Sequence, residues 1–447
     1  MLTRASVRWS LLGLTGTFLL AASLFGGQDE GPFSSWVSII IAASIACGLL
    51  VCLTAAAWRR QTPGRFWPWL VILSALAFRI ALLPASHDLS DDAYRYHWDG
   101  KVLAHGINPY LHAPDDEAVS HLKNHEIDRR INHPWYRTCY PPFAQVIFAV
   151  GYLLSPGRLA GLQVLALIAE LAAWLLLIRS LRRRRSPSSY LLLAAWFPLL
   201  MFQSYLPGHL DVFLLPFTTL FILATARGRA LLAGIALALA CLIKPLPLLL
   251  LPAALRELGW RKSWRLAMAL AAVMLVFYLP FLGAGWRLFS STWLMATAWS
   301  FGGSLASLLE GLLPMQPAHF LAGSLLGAAL VLTAWRGRDL ISRMQLALAA
   351  FVICTPTLFP WYLIVMFPLL VLRPDPALLA LAVLIPVADE VVIQYHASQT
   401  WSAAGWPAMM VYGSFYSVLI VGACRGWGMF RRDNDRADVR VTEESRR

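Results

Sequence analysis

The stretch of this 447-residue chain best equipped for chemistry is Ser90-Asp91-Asp92-Ala93-Tyr94-Arg95-Tyr96-His97-Trp98-Asp99-Gly100. It follows an apolar run, residues 67–84, close to where that run meets water. A carboxylate held at such a boundary is partly desolvated. Desolvation raises its proton affinity and suits it to take a proton from a hydroxyl. Asp92, Arg95, Tyr96 and Asp99 are spaced by three and four, so a short helix would present all four on one side. An interfacial amphipathic helix with solvated acids fits the same spacing.

This stretch belongs to a polar segment, residues 85–140, that holds nine carboxylates, six Lys/Arg and seven of the ten histidines. Titratable groups gathered between apolar runs point to chemistry, or to capture of a polar substrate, at that surface. The histidines at 87, 97, 105, 112, 121, 125 and 133 match no zinc spacing. His121 and His125 are four apart with Glu126 next, which a surface helix explains equally well. No cofactor is expected, with a divalent metal as the less favoured alternative. Phosphate-binding loops, dinucleotide fingerprints and a local Ser-His-Asp pattern are absent from the sequence.

Three further groups could serve the same chemistry. His209-Leu210-Asp211 begins a helix, where the acid complements the helix dipole or the pair orients a hydroxyl or phosphate. Lys244-Pro245 interrupts the apolar run IALALACLIKPLPLLLLP. A lysine there is costly unless paired, and the proline frees backbone groups. A phosphate site and a snorkelling lysine both fit. Pro360-Trp361-Tyr362 closes a late apolar run. Gly106-Ile107-Asn108-Pro109-Tyr110 reads as a turn, and Thr138-Cys139-Tyr140-Pro141-Pro142 as a rigid corner leading into a helix.

The elements that must position these residues are membrane helices. Hydrophobic residues make up 58% of the chain and charged residues 14%, against about 25% charged in soluble domains. Mean hydropathy is +0.61. Apolar runs recur at lengths that cross a hydrocarbon core of roughly 30 Å, and in lipid such runs must be helical. The fold class is therefore all-α, a polytopic bundle of about 12–14 spans. Residues 1–424 form one integral-membrane domain and 425–447 a basic, polar, disordered tail. The net charge of +13 belongs to short loops between spans and does not call for nucleic acid. Five of the six cysteines fall in or at the end of apolar runs and Cys139 stands alone, so no disulfide framework is expected.

Counting Lys/Arg sets the orientation. Arg4 and Arg8 place the N-terminus inside, and residues 9–27 form a first span that is retained. Span 35–57 returns to Arg59, Arg60 and Arg65, and span 67–84 leads out to the polar loop. Residues 142–155 read as a short re-entrant or interfacial helix and 159–179 as the crossing that reaches Arg182–Arg185. Spans 189–206, 212–226, 230–243, 266–283, 318–335, 345–358, 376–395 and 406–423 follow. A short helix at 246–255 also belongs to this series, and a second external loop spans 284–317. Asp91, Asp92, Tyr140, His209, Asp211, Lys244, Trp361 and Tyr362 then all fall on the external face, although none was used to set the topology.

Together these motifs resemble the glycosyltransferase C superfamily, and most closely the bacterial polyprenol-phosphate-mannose-dependent mannosyltransferases. The acidic motif, arginine–tyrosine pair and Trp-Asp-Gly of the first large external loop stand here as Asp91-Asp92 through Gly100. Tyr140-Pro141-Pro142, His209-Leu210-Asp211, Lys244-Pro245 and Pro360-Trp361-Tyr362 match the later motifs. The resemblance covers residues 70–420. Spans 9–27 and 35–57 come ahead of the span that leads into the loop, whereas many superfamily members place the loop after the first span, and no soluble C-terminal domain is expected to follow.

The resemblance implies an inverting transfer of a hexose, mannose favoured, from a polyprenyl-phosphate-linked donor. The acceptor would be an envelope glycan or glycolipid at the outer face of a bacterial inner membrane. Asp92 or Asp91 would be the base, and Lys244 with Arg95 would hold the donor phosphate. Tyr96, Trp98, Asp99, Tyr140, His209, Asp211, Trp361 and Tyr362 would contact substrate, Trp98 and Trp361 by packing on a sugar face. A lipid-linked-sugar transporter or a non-catalytic subunit of an envelope assembly complex are the rival readings.

Overall fold

A computed structural model describes residues 4–26, 33–59, 66–84, 89–398, 400–401 and 404–431. Among them the chain is helical, and its only bridge pairing ties Phe301 and Gly302 to Thr357. Three helices precede the polar loop: α1 (Arg4–Gly26), α2 (Phe33–Trp58) and α3 (Trp67–Leu82). The loop opens with α4 (Asp92–Ala104) and ends at α5 (Pro142–Leu154), followed by α6 (Ala160–Arg184). Next come α7 (Leu192–Ala195), α8 (Pro198–Tyr205), α9 (Leu214–Ala226), α10 (Ala230–Cys241), α11 (Leu251–Leu258) and α12 (Trp260–Tyr278). The remaining helices are α13 (Arg287–Ala298), α14 (Leu305–Glu310), α15 (Met315–Arg336), α16 (Leu340–Cys354), α17 (Phe367–Leu372), α18 (Pro376–Leu384), α19 (Glu390–Ser398) and α20 (Gly405–Arg425).

Six helical stretches among the described residues are long and apolar enough to cross a membrane: 33–58, 160–184, 260–284, 315–336, 376–398 and 405–430. Six shorter apolar helices accompany them, Pro142–Leu154 among these. One continuous apolar core runs through the bundle from Leu12 to Met429. Large apolar side chains such as Leu275, Phe320 and Leu332 remain exposed on α12 and α15, as lipid-facing helices require. The protein is an all-α polytopic membrane protein.

Several expected elements differ in detail. Residues 189–206 are not one span: Trp196-Phe197 separates α7 from α8. Pro198 takes a first-turn position where its missing N–H does no harm, and Trp196 Nε1 donates to Val71 O and Ser74 Oγ across the break. The expected second loop, 284–317, contains two helices, α13 and α14. Residues 142–154 form a 13-residue helix, about 20 Å long, against which α6 closes so tightly that a side chain at Gly161 would strike the Gly151 carbonyl. Part of the expected disordered tail is ordered: Met429 is buried and its N–H donates to Asp375 Oδ2 at 2.7 Å. Residues 432–447, like Arg60, Arg65 and His87, lie outside the described residues.

The basic loops meet one another. Arg343 pairs with Glu257 at 2.8 Å, Arg373 with Asp339 at 2.8 Å, and Arg338 donates to the Arg431 carbonyl. Helix α16 begins at Asp339 in this cluster and ends near Thr355–Thr357, which bonds Phe301 and Trp299. Its 15 residues separate the two ends by roughly 22 Å. His133 of the polar loop packs edge-on to Trp299 at 5.3 Å, so the polar loop sits at the opposite end of α16 from this arginine cluster.

Candidate active site

Asp92 opens α4, the helix on which the loop is built. Residues Ala93 to Val102 are buried on every side of it, so a polar sequence has become an interior helix. Gly100 allows this: a side chain there would collide with the Phe148 carbonyl of α5. The spacing read from the sequence is realised as two i,i+4 contacts. Tyr96 OH donates to Asp92 Oδ2 at 3.3 Å, and Arg95 Nε donates to Asp99 Oδ1 at 2.9 Å. The motif thus splits. Asp92 and Tyr96 point to the site, while Arg95, Trp98 and Asp99 point into the loop.

That second group departs from expectation. Arg95 also donates to the carbonyls of Tyr136 (2.8 Å) and His133 (3.4 Å), and is 5% exposed. Its donors brace the loop, which leaves it poorly placed as a phosphate ligand. Trp98 is buried with Val102, Val119, Leu122 and Ile131, so its ring offers no sugar platform. Asp99 is the buried counter-charge of Arg95. One-sided presentation was expected because helical spacing says which residues share a face. It does not say whether the opposite face is also covered.

Around Asp92 the expected partners gather. His209 Nδ1 lies 3.5 Å from Asp92 Oδ2, at the outer limit of hydrogen bonding. Asn132 Nδ2, from the same loop, donates to Asp92 Oδ1 at 2.7 Å. Burial raises the proton affinity of Asp92. His209, Asn132 and then Lys244 outweigh it, holding the carboxyl below its usual range. Asp92 is therefore a charged acceptor at neutral pH. Its side chain keeps 24% exposure, enough for a hydroxyl to reach it. Asp91, beside it, is exposed and lines an adjoining cavity.

His209 and Asp211 are placed by a sharp turn in which Gly208 adopts φ +74°, a conformation glycine takes without penalty. A 3-10 turn, Leu210–Phe213, then leads into α9. Asp211 is fully buried, and both its oxygens accept from Lys244 Nζ, at 2.8 and 3.0 Å. Lys244 also sits 3.7 Å from the centroid of the Tyr362 ring, close enough for cation–π attraction. The lysine that α10 releases after Cys241 is thus paired and not snorkelling. Its ammonium carries three donors, two of them engaged by Asp211.

Aromatic rings complete the wall. Trp361 stacks on His209 at 3.6 Å, Phe359 on Trp361 at 4.4 Å, and Phe301 on Phe359 at 4.6 Å. Tyr140 packs edge-on to Tyr96 at 5.0 Å, and its carbonyl accepts from Tyr110 OH at 2.7 Å. That bond joins the Gly106–Tyr110 turn to the Tyr140-Pro141-Pro142 corner. Asn108 Oδ1 accepts from Tyr110 N–H, as an Asx turn does. The histidines of the loop disperse: His97 Nε2 accepts from Gly157 N, His105 meets Lys101 O, and His112 pairs with Asp116. Among the described residues no three His, Cys, Asp or Glu converge in a metal-sized group.

A cavity of about 530 Å³ opens beside His209 and Trp361. Asp389 and Gln203 line it, joined by a 2.7 Å bond from Gln203 Nε2 to Asp389 Oδ2. Sequence reasoning missed both, and it missed Asn132. The signal for Asp389 was available: an Asp-Glu pair three residues after Pro386 in the apolar run 376–395. Also missed was an ion pair inside the bundle. Arg79 of α3 and Glu170 of α6 are both wholly buried, joined at 2.7 and 2.9 Å, with Tyr205 OH donating to the same carboxylate at 2.7 Å. Ionisable groups are therefore not confined to one end of the bundle.

An all-helical membrane bundle carrying a carboxylate, a histidine and a paired lysine at the rim of its first long polar loop has the architecture of a C-type glycosyltransferase. The chain belongs to the MptA_B family: the model described as alpha-(1->6)-mannopyranosyltransferase, N-terminal domain, matches residues 10–258, more than half its length. The resemblance drawn from the motifs holds at this level, and the chain is a membrane glycosyltransferase of a mannosyl-transferring family. No curated protein matches it.

Proposed function

We propose that the protein transfers a mannosyl group from a polyprenyl-phosphate donor to an envelope glycan or glycolipid, with inversion, on the external face of a bacterial inner membrane. The observation that carries this reading is the meeting of two pairs, Asp92 with His209 and Lys244 with Asp211, drawn from distant parts of the chain. Asp92 accepts the proton of the acceptor hydroxyl. The hydroxyl oxygen bonds to the anomeric carbon while the bond from that carbon to the phosphate oxygen breaks, and polyprenyl phosphate leaves with the electron pair. Lys244 meets the phosphate through its third donor, while Asp211 and Tyr362 fix its position. His209, 3.5 Å from Asp92 and stacked on Trp361, adds positive potential beside the carboxylate when protonated.

The test is reconstitution of the full chain with labelled polyprenyl-phosphate mannose and an envelope-lipid extract. Wild type should transfer label with or without EDTA. Asp92→Asn should lose about 10²- to 10⁴-fold in rate, the usual worth of general-base catalysis, while still binding polyprenyl phosphate. Full activity in Asp92→Asn would remove the base assignment. Transfer only from polyprenyl-phosphate glucose or arabinose would replace the sugar, and transfer from none of the three would favour a non-catalytic role.

A further inference from the structure

We propose that the cavity lined by Asp389, Gln203 and Asp91 is the acceptor subsite, and that it takes a neutral, hydroxyl-bearing sugar ring. The proposal rests on the transferase reading above and names the substrate class for its second half. The volume, about 530 Å³, falls in the range of small-molecule sites. The lining combines carboxylates, an amide and aromatic rings, which suits a ring with hydroxyl edges and apolar faces.

Gln203 connects this cavity to the chemistry. It is 4% exposed, its carbonyl accepts from His209 N–H at 3.1 Å, and its amide donates to Asp389 Oδ2. Its Oε1 is buried without a hydrogen-bond partner. Asp389 keeps its second oxygen for a ligand hydroxyl. Asp91, the chain neighbour of the base, and His209, which lies 3.5 Å from Asp92, both line the cavity, so it opens directly beside the base. Pro386 makes this possible: the 3-10 turn Ile385–Asp389 interrupts the helix between α18 and α19 and brings Asp389 to the cavity. An acid within an apolar run is tolerated where it lines a polar cavity. Arg130 lies at the rim over the Tyr94 ring, 4.4 Å from its centroid.

The chain divides the labour. Asp92, His209, Asp211 and Lys244 lie within the family-matched residues 10–258. Phe301, Phe359, Asp389, Val392 and Trp401 lie beyond them. The reacting groups and the far wall of the cavity thus come from different parts of the sequence.

The experiment measures equilibrium binding to the full-length protein in nanodiscs. The probes are α-1,6-mannobiose, the same disaccharide on a lipid, mannose 6-phosphate and polyprenyl phosphate. Asp389→Asn replaces one carboxyl oxygen with an amide NH2, and Val392→Trp fills the cavity with bulk while leaving the acid in the sequence. Both should weaken disaccharide binding about tenfold, Asp389→Asn by losing a hydrogen bond and Val392→Trp by taking up the space the ring needs. Polyprenyl phosphate affinity and melting temperature should stay unchanged. Binding of only the lipid-linked sugar, still weakened by both variants, also supports the subsite and identifies a lipid-borne acceptor. Unchanged disaccharide binding in both folded variants overturns the proposal. Equal affinity for mannose 6-phosphate overturns the neutral class. A wild type that binds polyprenyl phosphate but neither sugar overturns the subsite and leaves the transferase reading standing. Loss of polyprenyl phosphate binding itself counts against that earlier reading.

Discussion

At the scale of single residues, neighbours decide protonation. Asp92 stays ionised because His209, Asn132 and Lys244 outweigh its burial. His97, two turns from the end of the same helix, has the opposite fate. It is buried, and burial holds its pKa down to about 4, against an ordinary value of about 6.5. Between those values the unfolded chain binds the proton and the folded one does not, so stability rises with pH across the window and is lost as pH falls from about 6.5 to about 4. The melting temperature should decline over that interval, and His97→Gln should flatten the decline. An identical slope in the variant would show that another group carries the acid sensitivity. Asp92, His209, Asp211, Lys244, Trp361 and Tyr362 were legible in the sequence because each is polar or aromatic at the edge of an apolar run. Asn132 and Gln203 were not: nothing in their local sequence distinguishes an amide that bonds a distant carboxylate from any other amide.

At the scale of elements, the decisive feature is the docking of α4 on α5. At Gly100 the two backbones approach so closely that a side chain would strike the Phe148 carbonyl. Gly100→Ala should force α4 away from α5 at a cost of about 1–3 kcal/mol, the usual penalty for overpacking. It should lower the melting temperature, and displacement of Asp92 at the N-terminus of α4 should lower turnover further. A variant with wild-type melting would contradict the contact. The helix itself was legible from its three-and-four spacing. Its complete burial was not, because the cover comes from residues 117–131 and from α5, remote in sequence. The break at Pro198 and the turn at Pro386 show the same limit: hydropathy measures the length of an apolar run and is blind to where the run bends.

At the scale of the whole molecule, two features stand out. Arg79 and Glu170 are fully buried and satisfied by each other, by Tyr205 OH and by the Ala195 carbonyl. Removing one partner strands a charge, whereas removing both does not. Arg79→Met should destabilise by about 3–5 kcal/mol, and the double variant Arg79→Met/Glu170→Leu should recover much of that loss. Equal loss in single and double variants would indicate that packing dominates. The second feature is the segregation of arginine-rich turns from the polar loop, the asymmetry on which the proposed orientation rests. In a cysteine-free background, Glu117→Cys should react with an impermeant maleimide on intact cells, and Arg261→Cys only after lysis. The reverse pattern would invert the topology and with it the face on which transfer is proposed. The helical class was legible from composition alone, because lipid leaves the backbone no other economical choice.

The ring stack has a consequence of another kind. His209 lies face to face with Trp361 at 3.6 Å, and an imidazolium quenches an indole more strongly than a neutral imidazole does. Subtracting the emission of Trp361→Phe from that of wild type isolates one fluorophore among the chain's 19 tryptophans. Its brightness would then report changes at the face where the two rings meet, in real time. The site carries its own optical reporter, readable in a stopped-flow cell without any attached dye.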